Sequence, residues 1–369
     1  VVLLLALGFT LTLSACGDAN NTVRLGVIGP LTGEYSLYGV AVRDGAQLAV
    51  DEINAAGGLL GKDVELFAYD SKGDPVEGVN AYNRLRDEDE IHALVGGTFS
   101  GVTLAIKELA IDDNMPVLTP TATNPDVTLN AANVFRACYT DSYQGSVAAV
   151  FAKETLEATK VAVMYNRDDA YSEGLATAFK AEWGTEGLVA DVSFGAGDDD
   201  YSALLDTIAA SGAEAVFLPA YVAEVGAILT QAASKGMDIP FIGGDGWDSI
   251  EQDYADVAEG HYFGNHYAKT DEAPQVQSFI AAYEAAYGES PNALAALAYD
   301  AVYALAEAIT DADSLEAADI VAALQAVEYT NAVTGSIKFD ANGDPIKAVT
   351  MIQVIDGEHV VIGKVEAGE

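Results

Sequence analysis

The sequence predicts an α/β protein with two lobes, each a parallel sheet covered by helices on both faces. Three observations lead to this prediction. The chain has 369 residues, more than a single hydrophobic core usually accommodates. Apolar runs of strand length alternate with longer helix-like runs, and the whole alternation occurs twice along the chain. Strands alternating with helices in this way pair in parallel, because the crossover connections are right-handed and the strands are apolar throughout.

The first lobe is predicted from the segment between residues 23 and 120. The predicted strands are 23–29, 64–70, 91–97 and 115–120, and the predicted helices are 39–56, 75–89 and 101–113. In the first helix Val42, Ala46 and Ile53 fall on one face, as a helix that packs on a sheet requires. Asp74 precedes a proline at the start of the second helix and is a suitable capping residue.

The second lobe is predicted from the segment between residues 160 and 244. The predicted strands are 160–165, 188–194, 213–219 and 239–244, and the predicted helices are 172–184, 200–211 and 222–236. Three helices at 274–288, 291–310 and 316–327 and two strands at 348–355 and 359–365 come after them. These strands are too few for an independent sheet, so we expect the C-terminal elements to return to the two lobes.

The stretch DANGD at 340–344 has two interpretations. Its carboxylates could bind calcium, but it lacks the remaining spacing and the distal glutamate of an EF-hand loop. Asn342-Gly343 is a typical hairpin turn. We therefore predict a structural turn.

The charge of the chain is strongly one-sided. It carries 57 acidic and 17 basic residues, a formal net charge of −40. Phosphate binding needs basic patches, so nucleic acid is excluded as a partner class. The acidic residues are scattered through the helices, which predicts a solvated acidic surface suited to high salt, where screening shortens self-repulsion.

The N-terminal run VVLLLALGFTLTLSACG indicates export. It is too short to span a bilayer and ends in small residues, as a secretory signal does. Residues 13–16 resemble the bacterial lipobox, which predicts lipidation of Cys16 with residues 17–22 as a tether to the membrane. An ordinary signal peptide with a chance cysteine is the alternative. Either way we expect the protein in the periplasm or at the cell surface, with Cys138 as a buried apolar residue without a disulfide partner.

Motifs for enzymatic chemistry are missing from the sequence. It has neither a phosphate-binding Gly-Lys-Ser/Thr loop nor a dinucleotide fingerprint in its strand-turn-helix context. The histidines lie in unrelated segments, without metal-ligand spacing or a convincing nucleophile partner; they are His92, His261, His266 and His359. We therefore predict no cofactor, no metal, no catalytic residue and no enzymatic activity.

Small-molecule binding is predicted by the residues that come directly after the strands. In open α/β sheets ligands bind beyond the carboxyl ends of the strands. Here those ends carry hydroxyls, aromatic rings or a carboxylate between glycines. The stretches are GPLTGEYSLYG (29–39), GGTFSG (96–101), TPTATNP (119–125), YNRDDAYSEG (165–174), PAYVAEVG (219–226) and GGDGWDS (243–249).

From residue 23 to its end the chain resembles the leucine/isoleucine/valine-binding proteins that serve ATP-driven (ABC-type) importers of branched-chain amino acids. The stretches that carry the resemblance are 28–62, VGGTFSGVT, PTATNPDVT, DDAYSEGLA and GGDGWDS. The resemblance implies a type I periplasmic binding protein fold, with two lobes joined by a hinge of three crossings. Residues 23–141 with 267–342 would form lobe 1, and residues 142–266 with 343–369 would form lobe 2.

The resemblance also implies a ligand-binding site. Its residues would be Tyr38, Thr98, Phe99, Ser100, Thr121, Ala122, Thr123, Tyr171, Tyr221, Asp245 and Trp247. Ser100 and Thr123 would hold a ligand carboxylate, and Asp245 would pair with an α-ammonium, which is expensive to bury alone. Ser100 and Thr123 could instead be helix caps, and Asp245 a turn residue. Trp247 either lines the pocket or packs beneath it.

The function implied is capture of a small amino acid, branched-chain or aliphatic, and its delivery to an ABC permease with its ATPase subunits. We expect a monomer. A ligand-sensing subunit of the same fold is the alternative, and relatives also bind urea, short amides or aromatic acids. Phe99 and Thr121 indicate a side-chain pocket that is not purely aliphatic in shape, whereas Asp245 favours a ligand with an ammonium group.

Overall fold

The computed structural model describes residues 22–365. The strands are β1 (Thr22–Gly29), β2 (Asp63–Asp70), β3 (Ala93–Gly97), β4 (Val117–Thr119), β5 (Val134–Arg136), β6 (Val161–Asn166), β7 (Leu188–Phe194), β8 (Ala215–Phe217), β9 (Phe241–Gly243), β10 (Tyr262–Asn265), β11 (Glu328–Tyr329), β12 (Ile337–Lys338), β13 (Val349–Ile355) and β14 (Glu358–Val365). The α-helices are α1 (Ser36–Ala55), α2 (Pro75–Asp87), α3 (Ser100–Asp112), α4 (Asp141–Glu154), α5 (Ala170–Trp183), α6 (Ser202–Ser211), α7 (Val222–Ser234), α8 (Ile250–Ala258), α9 (Pro274–Tyr287), α10 (Ala293–Ala312) and α11 (Ala317–Leu324).

The N-terminal strands form a five-stranded sheet in the order β2-β1-β3-β4-β5. All of its strand pairs are parallel. Along the chain, β2 is added on one side of β1, and β3, β4 and β5 are added on the other side. The direction in which strands are added therefore reverses between β1 and β3. At such a switch point the two following loops diverge and leave a crevice above the sheet.

The second sheet has seven strands in the order β14-β13-β10-β9-β8-β6-β7. Strands β6 to β10 pair in parallel, whereas β13 runs antiparallel to β10 and β14 antiparallel to β13. The order of the parallel strands reverses between β6 and β8. The second sheet therefore repeats the crevice-forming topology of the first.

The C-terminal helices pack back onto the first sheet. α10 lies against α1 and also contacts β3 and β4, and α11 packs on α10. α10 is long and apolar enough to cross a membrane, but 78% of its apolar window is buried inside the protein. It is therefore the central helix of a core, and the chain then continues to β13 and β14 in the second sheet. The lobe boundaries stay a prediction.

The prediction from sequence omitted six of these elements, namely β5, α4, α8, β10 and the two-residue strands β11 and β12. With β5 and β10 included, the first sheet and the parallel part of the second sheet have five strands each, not four. β5 is only three residues long and ends in an arginine, and β10 contains glycine and asparagine, so neither has the long apolar pattern of a buried strand.

The predicted turn at 340–344 is confirmed. Gly343 has a φ of +85°, and Phe339 and Pro345 form an antiparallel bridge on either side. Within residues 22–365 there is no group of three or more His, Cys, Asp or Glu side chains that could hold a metal ion.

Candidate ligand-binding cleft

A cavity lies where the loops that follow strands of the two sheets meet. The residues that line it are Tyr38, Thr98, Phe99, Ser100, Thr121, Tyr171, Tyr221, Asp245, Gly246 and Leu294. Tyr38 follows β1, Thr98 follows β3, Tyr171 follows β6 and Tyr221 follows β8. The cavity is thus formed at the two switch points that the sheet topologies create.

One wall of the cavity consists of hydroxyls at the start of α3. Ser100 is the first residue of this helix, so the N–H groups around it lack an intrahelical acceptor and favour an anion. The Ser100 Oγ accepts a hydrogen bond from the Asn124 N–H at 3.2 Å, and the Thr121 hydroxyl donates to the Thr98 carbonyl at 2.6 Å. These bonds join the loops after β3 and β4 into one surface.

A buried arginine supports this surface from behind. The Arg136 guanidinium is fully buried and donates to the Ala122 carbonyl at 2.9 Å and to the Asp344 carboxylate at 2.5 Å. The Ala122 carbonyl belongs to the loop that carries Thr121. The 340–344 turn therefore supplies the counter-charge that allows a cation to hold this loop in place.

The opposite wall presents the carboxylate of Asp245. Its Oδ1 accepts hydrogen bonds from the Gln144 amide at 3.0 Å and from the Tyr171 hydroxyl at 2.9 Å. Its Oδ2 lies 2.9 Å from the His266 Nε2. The Asp245 N–H also donates to the Gln144 Oε1 at 2.7 Å. This carboxylate is therefore held in one orientation.

Aromatic rings close the cavity. Tyr221 stacks on Phe99 with ring centroids 4.5 Å apart and on Tyr171 at 5.0 Å. Tyr38 meets both Phe99 and Tyr221 edge to face. Leu294, near the start of α10, adds an aliphatic surface. The cavity therefore presents hydroxyls, a carboxylate and a largely apolar enclosure together.

Two tyrosines connect loops of the first sheet with loops of the second. The Tyr38 hydroxyl donates to the Gly246 carbonyl at 2.6 Å and accepts from the Val222 N–H at 2.8 Å. The Tyr35 hydroxyl donates to Glu224 at 2.9 Å. Burial raises the pKa of Glu224 above its usual range. These contacts lie at the cavity and hold its two walls together.

Comparison with known proteins identifies the family. A model of the family described as periplasmic binding protein matches residues 22–358. The chain belongs to this family. This binding protein is 35% identical over 333 residues to the Leu/Ile/Val-binding protein BraC3 of Rhizobium johnstonii, covering 88% of this chain and 89% of the relative. It is 30% identical over 331 residues to the leucine-, isoleucine-, valine-, threonine- and alanine-binding protein of Pseudomonas aeruginosa, covering 88% of each.

A solved structure supports the same assignment. The branched-chain amino acid transporter substrate-binding protein LivJ of Streptococcus pneumoniae, in complex with isoleucine, aligns with a TM-score of 0.88 at 33% identity, covering 94% of this chain and 99% of that one. The family and the type I fold predicted from the sequence are confirmed. Proteins of this family are extracytoplasmic binding proteins and not enzymes.

Of the eleven site residues predicted for this binding protein, eight line the cavity. Ala122, Thr123 and Trp247 do not line it and are fully buried. Trp247 packs beneath the site, where its indole N–H donates to the Leu218 carbonyl at 2.9 Å. Thr123 lies beside the buried Asp141. Burial raises the pKa of Asp141 well above its usual range, and the Thr123 hydroxyl opposes this shift.

Four residues that complete the cleft were not predicted. Gly246 and Leu294 line the cavity, and Gln144 and His266 hold Asp245. Gly246 lies within the predicted GGDGWDS stretch, so its position gave a usable signal. Leu294, Gln144 and His266 come from segments without any strand-end motif, and only the folded chain brings them to the cleft.

Proposed function

We propose that this binding protein captures a small aliphatic amino acid between the two walls of the cleft and delivers it to an ABC-type importer. One observation carries the proposal. The carboxylate of Asp245 and the N-terminus of α3 at Ser100 line the same cavity. A carboxylate on one side and hydroxyls with free N–H groups on the other match the ammonium and carboxylate of an α-amino acid.

Physical chemistry supports this pairing. Hydrogen bonds to charged groups contribute about 1.5 to 3 kcal/mol each, and hydroxyl and amide donors need no counter-cation to hold a carboxylate. A buried ammonium without a carboxylate partner is expensive, so Asp245 is the residue on which an amine ligand depends most. Leu294, Phe99 and Tyr221 offer apolar surface for the ligand side chain. The names of the similar proteins, which bind leucine, isoleucine and valine, support the same ligand class.

The wider role follows from the family. Binding proteins of this fold close around their ligand, and a membrane permease recognises the closed form. A lipid anchor at Cys16, outside the described residues, would keep this binding protein close to such a permease and its ATPase. Delivery to an importer, lipidation and the monomeric state are parts of this proposal.

Calorimetric titration of the purified protein tests the proposal. We expect leucine, isoleucine or valine to bind with a micromolar or lower dissociation constant, which corresponds to a binding free energy of about −8 kcal/mol or more negative. Asp245→Asn should abolish binding, because the ammonium loses its charge partner. Asp253→Asn, which neutralises an exposed carboxylate on α8, should bind like the wild type. Binding only of ligands without an amine, such as short amides or aromatic acids, would contradict the proposal.

A further inference from the structure

His266 contacts Asp245 of the candidate ligand site, and its position follows from the end of β10. The preceding residue, Asn265, ends β10 and accepts the His266 N–H through its Oδ1 at 2.7 Å. The Asn265 amide donates to Asp248 at 3.1 Å. Below the imidazole, the Tyr139 ring stacks at a centroid distance of 3.7 Å and an interplanar angle of 20°. Backbone and ring are therefore both fixed.

The geometry assigns the tautomer of His266. Its Nε2 lies 2.9 Å from the Asp245 Oδ2, and an ionised carboxylate accepts hydrogen bonds but donates none. The Nε2 therefore carries the proton. The Nδ1 is buried and finds no hydrogen-bond partner among residues 22–365. A buried N–H without an acceptor is costly, so this nitrogen is the unprotonated one.

A count of acceptor positions shows where an ammonium would bind. A carboxylate offers about four lone-pair positions on its two oxygens. Gln144 and Tyr171 occupy Oδ1, and His266 occupies one position on Oδ2. The remaining position is on Oδ2, so a ligand ammonium would share this oxygen with the imidazole N–H.

We propose that His266 is a positioning residue for the ligand ammonium: as a neutral Nε2–H donor it orients Asp245, and its protonation weakens binding of an amine. This inference rests on the proposed function, because it assumes a ligand with an ammonium group. A neutral imidazole leaves the charge of Asp245 available to the ligand. An imidazolium on the same oxygen neutralises that charge and repels the ammonium.

The groups around His266 determine its charge at neutral pH. Burial lowers the pKa of His266 below its usual range, and the positive charge of Lys347 lowers it further. The hydrogen bond and charge of Asp245 and the charge of Asp248 act in the opposite direction. The fourth group that faces the ring is the Tyr139 phenol, whose pKa burial raises well above its usual range, so it stays neutral. His266 is therefore neutral at neutral pH.

The sign of the pH dependence follows from reciprocity. A proton on His266 weakens binding of the ammonium, so a bound ammonium weakens binding of the proton by the same factor. Amino-acid affinity is therefore constant at neutral and mildly alkaline pH and falls as the pH drops below the usual histidine range. The ligand keeps its own charges throughout a titration from about pH 8 to about pH 5.

Two substitutions separate the donor from the ring. His266→Phe keeps a ring to stack on Tyr139 but has no donor, so we expect the affinity for leucine to fall about tenfold to a hundredfold, as for loss of a hydrogen bond to a charged group. His266→Gln places an uncharged amide donor near Oδ2 and cannot be protonated. It should retain most of the neutral-pH affinity and lose the decline at acid pH.

The experiment is calorimetric titration with leucine from about pH 8 to about pH 5 on the wild type and both variants. It is combined with ¹⁵N NMR of the imidazoles in the ligand-free protein, where His266 is assigned by its disappearance in His266→Gln. We expect the neutral Nε2–H tautomer at neutral pH. If His266→Phe fails to fold, His266→Gln and the NMR tautomer decide.

Each result has one meaning. An Nδ1–H tautomer, wild-type affinity in His266→Phe, or an acid decline that persists in His266→Gln overturns the role of His266 and leaves the proposed function intact. A wild type that binds no amino acid at any pH overturns the proposed function, and the role of His266 with it.

Discussion

The hydroxyl of Tyr38, a single group, joins the two walls of the cleft. It donates to the Gly246 carbonyl and accepts from the Val222 N–H, and both partners follow strands of the second sheet. The Tyr38 side chain is buried, so neither partner has water as a substitute. A buried polar group left without its partner costs about 1 to 3 kcal/mol.

We therefore predict that Tyr38→Phe weakens amino-acid binding about tenfold or more, because the closed cleft then leaves a carbonyl and an N–H unpaired. The measurement is calorimetric titration with leucine. Tyr82→Phe is the matched control, because it removes a hydroxyl bonded to Asp113, a residue that does not line the cavity. Equal affinities in Tyr38→Phe and Tyr82→Phe would contradict the prediction.

At the residue scale the sequence pointed to most of the residues that line the cavity but not to those that hold Asp245. Residues in strand-end stretches, such as Ser100 and Asp245, were found because the sheet topology brings all strand ends to the same place. Gln144 lies on α4, an element the sequence did not predict, and His266 lies just beyond β10. Their roles depend on a pairing with Asp245 across 101 and 21 residues of chain, for which one sequence carries no local signal.

At the scale of elements, the close crossing of α1 and α10 limits the size of the side chains at the contact between these two helices. A methyl group on Gly45 of α1 would come within 2.1 Å of the Ala295 carbonyl oxygen of α10. The backbones of the two helices therefore approach each other directly. α10 also carries Leu294 into the cleft, so this crossing positions part of the site.

We predict that Gly45→Ala destabilises the protein by about 1 to 3 kcal/mol, the usual cost of overpacking a core. In an unhindered helix interior the same change is favourable by about 1 kcal/mol. Gly101→Ala on α3 is the matched control, because a methyl group there meets no atom within 4 Å. Urea unfolding of both variants measures the difference. A Gly45→Ala protein as stable as Gly101→Ala would show that the helices can separate without cost.

Among the elements, length decided what could be predicted. α1 and α10 span 20 residues each and show a clear apolar face. β5 has three residues and contains Arg136, which forms an ion pair with Asp344, 208 residues away. A charged residue in a short buried strand cannot be assigned without its partner, because a buried charge is tolerated only when it is paired.

At the scale of the whole molecule, the net charge of −40 acts against the compact state. At low ionic strength the screening length is about 30 Å, so carboxylates repel each other across much of the protein; at about 1 M salt it is about 3 Å. The seventeen basic residues cannot balance the surface charge locally. Folding brings the carboxylates closer together than they are in the unfolded chain, so repulsion lowers the free energy of unfolding.

We predict that the melting temperature rises between low and molar KCl. A variant with four exposed acidic residues made neutral, namely Glu108→Gln, Asp112→Asn, Asp253→Asn and Asp256→Asn, changes the formal net charge from −40 to −36. If repulsion is the cause, this variant melts higher than the wild type at low salt and gains less from KCl. Thermal melts of both proteins across KCl concentrations measure this. A wild-type melting temperature that does not rise with KCl would mean that the acidic surface does not limit stability, whereas an equal gain in both proteins would attribute the rise to a general salt effect.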